Sequence, residues 1–189
     1  MRMITVAAYD TFVENLFERM RRFHSALADA GIPYRIIGGM AVFYHVSERD
    51  HDKARFTRDV DAAVRRADLD RIIAAAEVSG FKYRHVAGID MLVDPVQPSA
   101  RSAVHLVFAG ERVRATDPEP IPFSDPVLTI EGILLAPVAD LVRMKLTSFR
   151  LKDKVHIQDM DSVGLISAEI EQSLPEALRQ RLNEVRATE

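Results

Sequence analysis

The sequence has no cysteine. Disulfides, thiolate metal sites and cysteine nucleophiles are excluded together, and the composition fits a cytosolic protein. No stretch approaches the roughly 18 apolar residues that span a bilayer. The N-terminal MRMITVAAYDTFVENLF has no long apolar run ending in a small-residue cleavage site. The expectation is a soluble, cytoplasmic chain that makes no membrane contact. Strong charge of one sign is missing too. A net charge of -3 gives no molecule-wide field to recruit nucleic acid or anionic membrane, although a local basic cleft stays open. There is no internal repeat or low-complexity tract. Neither G-x-G-x-x-G nor a Gly-Lys-Ser/Thr phosphate loop occurs.

What is present suits an ordinary globular domain. The 189 residues, 48% hydrophobic and 28% charged, are enough for one domain with a full core. From about Tyr9 to Ala30, Phe12, Leu16, Met20, Phe23 and Leu27 recur at steps of three and four, the stripe of an amphipathic helix. Gly31 suits its left-handed cap and Pro33 prevents its resumption. Tyr34-Arg35-Ile36-Ile37 then reads as a strand, Gly38-Gly39 as a turn, and Met40–His45 as the start of a short helix. After a polar loop over Ser47–Arg55, Thr57–Val64 reads as a second strand, and Asp68 as the cap of a helix reaching Ser79.

Three β-like runs follow, Tyr83–Val86, Ile89–Val93 and Ala103–Phe108. Pro118, Pro120 and Pro122 make Asp117–Asp125 a stiff connector. Val127–Leu135 reads as a last strand or hairpin and the remainder as helix. The order predicts an α/β (α+β) fold, a mixed sheet flanked by helices, with a core over residues 1–135 and a helical extension over 136–189 packed on it.

Asp59 and Asp61 are spaced i, i+2, so on a strand both carboxylates and Thr57 point to one face. Two carboxylates side by side repel unless a cation or proton lies between them, and oxygen ligands suit Mg²⁺. Taken alone, Asp-x-Asp is short and common and marks a solvent-facing edge strand. Gly38-Gly39, between a strand and a helix, lets backbone approach a ligand and exposes N–H groups that favour phosphate. Alone, it is a tight turn. Together the two features suit a nucleoside triphosphate carried by Mg²⁺.

IIGGMAVFYHV followed by ARFTRDVDAAV resembles the Gly-Gly…Thr-x-Asp-x-Asp signature of the DNA polymerase β-like nucleotidyltransferase superfamily. The branch it resembles most includes the AbiEii-type toxins, and LAPVADLVRMKLTSFRLKDKVHIQDM is similar to that branch's lysine-bearing helix. The resemblance implies a nucleotidyltransferase-like fold in which Asp59 and Asp61 hold metal. Two Mg²⁺ ions are implied, with Mn²⁺ as a substitute. It also implies that Gly38, Gly39, Thr57, Arg58 and Lys145 bind the nucleotide, and that an acceptor hydroxyl on RNA, protein or a small molecule is modified. A role in a toxin–antitoxin or phage-defence setting, with a cognate antitoxin as partner, comes with it.

Lys145 has a reading of its own. On a helix over Val138–Phe149 it falls within the stripe of Val138, Leu141, Val142 and Phe149. There it either meets an anion or lays its stem along apolar surface. The resemblance favours a triphosphate contact. One position departs from the pattern. Where the superfamily places a third carboxylate on a later strand, this chain has His105. Three readings stand: His105 acts as base or metal ligand, the role has moved to Asp90 or Asp94, or catalysis is lost while nucleotide binding remains. A non-catalytic protein-interaction module that keeps the fold and a metal-dependent phosphohydrolase are further alternatives. His156 and Asp159 read as a hydrogen-bonded surface pair, with contact to the acceptor substrate or support of the active site as the functional readings; His45 reads as structural, and Arg55 as a phosphate contact. Arg21-Arg22 and Arg112–Arg114 read as solvated faces.

Overall fold

The computed structural model describes residues 6–96 and 103–188. Helix α1 (Val6–Asp29) lays Leu16, Met20, Phe23 and Leu27 into the core, all fully buried. Gly31 takes φ +61° and the Ile32 N–H closes back on the Leu27 carbonyl at 2.8 Å, so the helix ends where its stripe ends. The remaining helices are α2 (Gly38–Ser47), α3 (Leu69–Val78), α4 (Val138–Ser148), α5 (Leu151–Ser162), α6 (Ala168–Ser173) and α7 (Glu176–Arg186).

The strands are β1 (Tyr34–Ile37), β2 (Val60–Val64), β3 (Lys82–Val86), β4 (Ile89–Val93), β5 (Val104–Phe108), β6 (Val127–Leu128) and β7 (Leu134–Leu135). They form one mixed sheet in the order β3-β4-β5-β2-β1-β7-β6. β2 runs antiparallel to β1 and parallel to β5, and β7 is parallel to β1. Directly paired residues share a face. Tyr34, Ala62, Leu106 and Asp90 therefore point one way, towards α1, whose Phe23 ring sits edge-on to Tyr34 at 5.3 Å. Asp61, His105 and Met91 point the other way.

Several boundaries differ from the sequence reading. β2 begins at Val60, three residues later than expected, because its pairing stops at Ile37 of β1, opposite Asp61, and at Val104, the first residue of β5, opposite Val60. Thr57, Arg58 and Asp59 thus have no strand to pair with and lie in irregular chain. Helix α2 starts at Gly38 itself, not at Met40. Asp68 stands at the N-cap position of α3 as expected, at the end of a 3₁₀ turn, but its carboxylate makes no cap hydrogen bond and takes the Arg71 guanidinium at 2.9 Å instead. Phe149 leaves the α4 stripe and adopts φ +49°, ending the helix. Val127–Leu135, by contrast, forms the expected hairpin, β6–β7.

Helices α4, α5 and α7 pack on one another, and α2 packs on α4 and α5. The buried Asp140 of α4 ties down the proline-rich connector by accepting from the Ser124 N–H (3.0 Å) and hydroxyl (2.8 Å). Among the described residues no helix is long and apolar enough to cross a membrane.

Candidate functional site

The site is assembled where β1 turns into α2. Gly38 takes φ +71°, a conformation costly for any residue with a Cβ. Its bare α-carbon is also where Asp61 rests: a methyl group there would overlap the Asp61 Oδ2 and lie 3.0 Å from its Cγ. Gly39 is just as tightly covered. A methyl group on it would lie 2.7 Å from the Thr57 Oγ1 and 3.4 Å from the His156 Cε1. The two glycines are therefore required by their neighbours. The turn also presents the free N–H groups of the α2 N-terminus, where no side chain serves as cap.

His105 lies beside Asp61 across the β2–β5 ladder, its Nδ1 3.3 Å from Oδ1. Both side chains are partly exposed, at 23% and 31%. Asp59 lies just before β2, half-buried, and forms no hydrogen bond or ion pair among the described residues. Asp59 has no partner among the described residues and Asp61 faces the His105 imidazole, and carboxylate oxygens of this kind suit a hard divalent cation. Among the described residues no group of three His, Asp or Glu is arranged to hold a metal ion. A cation at Asp59 and Asp61 would take its other ligands from water and phosphate, as Mg²⁺ does.

Lys145 is buried on α4 and its ammonium meets Asp153 of α5 at 3.1 Å. Burial lowers its pKa, while the charge and hydrogen bond of Asp153, and then the charge of Asp61, pull the other way. The lysine on the apolar stripe thus has its anion inside the protein, and close enough to Asp61 to feel that carboxylate. Asp153, absent from the sequence reading, is the hub. It accepts from Lys145, from the Ser148 hydroxyl, and from the Arg150 N–H (3.2 Å) and Nε (2.9 Å). Burial alone would raise its pKa. The Arg150 hydrogen bond, the Lys145 charge and the remaining donors outweigh that and hold it well below the ordinary carboxylate range.

His156 and Asp159 do not form the expected surface pair. Asp159 is buried and takes the Arg55 Nε at 2.9 Å, so Arg55 is committed to a carboxylate. His156 turns its ring to Gly39 instead. Burial, then the Lys145 charge, lower its pKa to about 4, so the ring is neutral near pH 7. Arg58 is exposed on the irregular segment. His45 is structural, its Nε2 2.9 Å from the Ala136 carbonyl.

Neither alternative acid can stand in for His105. Asp90 is on the opposite face of the sheet, paired with Leu106, and is held by the Tyr83 hydroxyl (2.5 Å) and His85 Nδ1 (2.9 Å). Asp94 is committed to Arg22 of α1 at 3.1 Å. That pair, with the Arg22 guanidinium 4.4 Å over the Phe81 ring, also makes Arg22 a packed residue and not a solvated one. Arg112 folds back to the Asp117 carbonyl at 2.9 Å.

No family profile and no curated protein matches the sequence. Similarity appears among solved structures. The crystal structure of ANT(2″)-Ia in complex with adenylyl-2″-tobramycin superposes with a TM-score of 0.55, at 11% identity over 89% of this chain and 95% of that one. The chain has a nucleotidyltransferase-like fold. A solution structure of the antibiotic-resistance factor ANT(2″)-Ia (TM-score 0.48, 11% identity, 94% of this chain, 85% of that one) is a looser match. So is the Megavirus polyadenylate synthase (TM-score 0.47, 10% identity, 100% of this chain, 36% of that one).

Proposed function

We propose that this chain is a nucleotidyltransferase that moves a nucleoside monophosphate from a nucleoside triphosphate to an acceptor hydroxyl. The observation that carries the reading is the seating of Asp61 on the bare backbone of Gly38. It joins a carboxylate suited to a cation with a helix N-terminus suited to phosphate, in contact.

In this reading Gly38 and Gly39 cradle phosphate while Thr57 fixes the turn from outside. Asp59 and Asp61 hold Mg²⁺, with Mn²⁺ as a substitute. When bound, the ions neutralise triphosphate charge and stabilise the attacking and leaving oxygens. The buried Lys145 adds positive potential on the side of the departing pyrophosphate. His105 takes the proton of the acceptor hydroxyl as its oxygen bonds to the α-phosphorus, and the bond to pyrophosphate breaks. The protein's share is positioning and electrostatics.

ANT(2″)-Ia was crystallised with a nucleotide joined to a small molecule, which makes a small-molecule hydroxyl one acceptor class to test beside RNA and protein. The AbiEii-like motif adds a toxin-like setting with a cognate antitoxin. The test is transfer of label from each α-labelled NTP, with Mg²⁺, to RNA, protein and small-molecule fractions of a cell extract. Transfer that disappears in Asp59→Asn and Asp61→Asn supports the reading. Absence of both transfer and NTP binding overturns it. The second reading, a nucleotide-binding module without turnover, is favoured by His105 at the place of an acid. It expects saturable NTP binding with no transfer, even in His105→Asp.

A further inference from the structure

The ring of His156 lies against the glycine turn, its Cε1 3.4 Å from where a methyl group on Gly39 would sit. α5 packs on α2, and the Lys145 and Asp153 charges lie near enough to act on the imidazole. The two ring nitrogens differ. Nδ1 is buried without a partner, whereas Nε2 retains access to solvent and bonds to nothing among the described residues. Orphaned buried donors are rarer in folded proteins than under-satisfied acceptors. The hydrogen therefore belongs on Nε2 and the lone pair on Nδ1. Burial and the neighbouring ammonium keep the ring neutral. The result is an uncharged donor beside a turn built for phosphate, and a donor of this kind does not repel a nearby cation.

We propose that His156 donates its Nε2–H to a phosphate oxygen of the ligand seated at Gly38-Gly39. This rests on the nucleotidyltransferase reading and adds to it a ligand contact on α5. Gln and Asn separate it from a packing role. The Gln side-chain amide reaches the place of Nε2, and the Asn amide only that of Nδ1.

The experiment measures binding of ATP with Mg²⁺, and of inorganic tripolyphosphate alone, to wild type and to His156→Gln, His156→Asn and His156→Phe. Unliganded melting curves serve as the control for folding. A lost hydrogen bond to a charged acceptor raises Kd by about ten- to a hundredfold. That rise is expected for Asn and Phe with both probes, and Gln should stay within a few-fold of wild type. Equal binding by all variants overturns the contact. Rescue by Asn and not Gln overturns its assignment to Nε2, and a loss seen with ATP but not with tripolyphosphate overturns its assignment to phosphate. The wild type supplies a check that needs no substitution. Two-bond ¹H–¹⁵N correlations should show the Nε2–H tautomer and a shift of that nitrogen on adding tripolyphosphate; the Nδ1–H tautomer, or no shift in protein that binds, overturns the proposal. Wild type that binds no NTP at all sinks the nucleotidyltransferase reading with it. Wild type that binds while His156→Phe binds equally sinks this contact alone.

Discussion

Lys145 and Asp153 face each other at 3.1 Å across the turn between α4 and α5, with both side chains shut away from water. A buried pair of this kind is most costly when half of it is removed. Asp153→Ala would leave an ammonium in the interior with its main counter-charge gone. Its stability to urea should fall by about 3–5 kcal/mol. Lys145→Met should cost less, because Ser148 and Arg150 still satisfy Asp153. An Asp153→Ala protein as stable as wild type would show that the pair does not organise this end of the fold.

Gly38 and Gly31 offer a matched comparison. Both have positive φ, +71° and +61°, but a methyl group on Gly31 meets nothing within 4 Å, while one on Gly38 meets Asp61. Gly31→Ala should cost only the left-handed penalty, about 1–2 kcal/mol. Gly38→Ala should cost at least as much and also push Asp61 away, so label transfer should drop by at least about a hundredfold. Equal activity in the two variants would mean that the seating of Asp61 does not matter.

The pH dependence of stability follows from His156. Its folded pKa, about 4, lies below the ordinary value near 6.5. The unfolded chain therefore takes up a proton that the folded one refuses. Stability should be full above about pH 6.5 and decline as pH falls towards 4, by no more than about 3 kcal/mol. Asp153, whose pKa is lowered, adds a separate loss that starts below the ordinary carboxylate pKa near 4. Urea midpoints measured from pH 8 to 4 should show the first decline in wild type and a flatter profile in His156→Phe. Identical profiles would refute the assignment.

His105 separates turnover from binding. If it receives the acceptor proton, His105→Ala should lower transfer by about a hundredfold or more. The rise in melting midpoint caused by ATP and Mg²⁺ should persist. His105→Asp should recover part of the rate. Loss of the ATP-induced shift together with transfer would make His105 a binding residue and not a base.

Much of this arrangement is legible in the residues themselves. The α1 stripe, its Gly31–Pro33 stop and the run from β1 into the glycine turn follow from period and local conformation. Lys145 announces itself as a charge on an apolar stripe that has to find an anion. Where that anion lies is not legible. α5 buries Asp153, Ile157 and Met160 at helical spacing, with Asp159 off that line, but two of the four are carboxylates matched by Lys145 and Arg55 from elsewhere in the chain. A helix that hides charge in pairs looks, in sequence, like a solvated one. The parallel pairing of β2 with β5, which sets Asp61 beside His105, joins segments more than forty residues apart, and no local pattern specifies it. The late start of β2 is hidden for a related reason, because it depends on where β1 stops and β5 begins.

The seat of Asp61 also bears on how a substrate would be received. A side chain wedged against main chain, with a neighbouring strand fixing its backbone, has surrendered its rotational freedom during folding and has little left to lose when a ligand arrives. Such a group gains affinity from rigidity and gives up tolerance in exchange. A substrate must come to the carboxylate, because the carboxylate is not free to go to it.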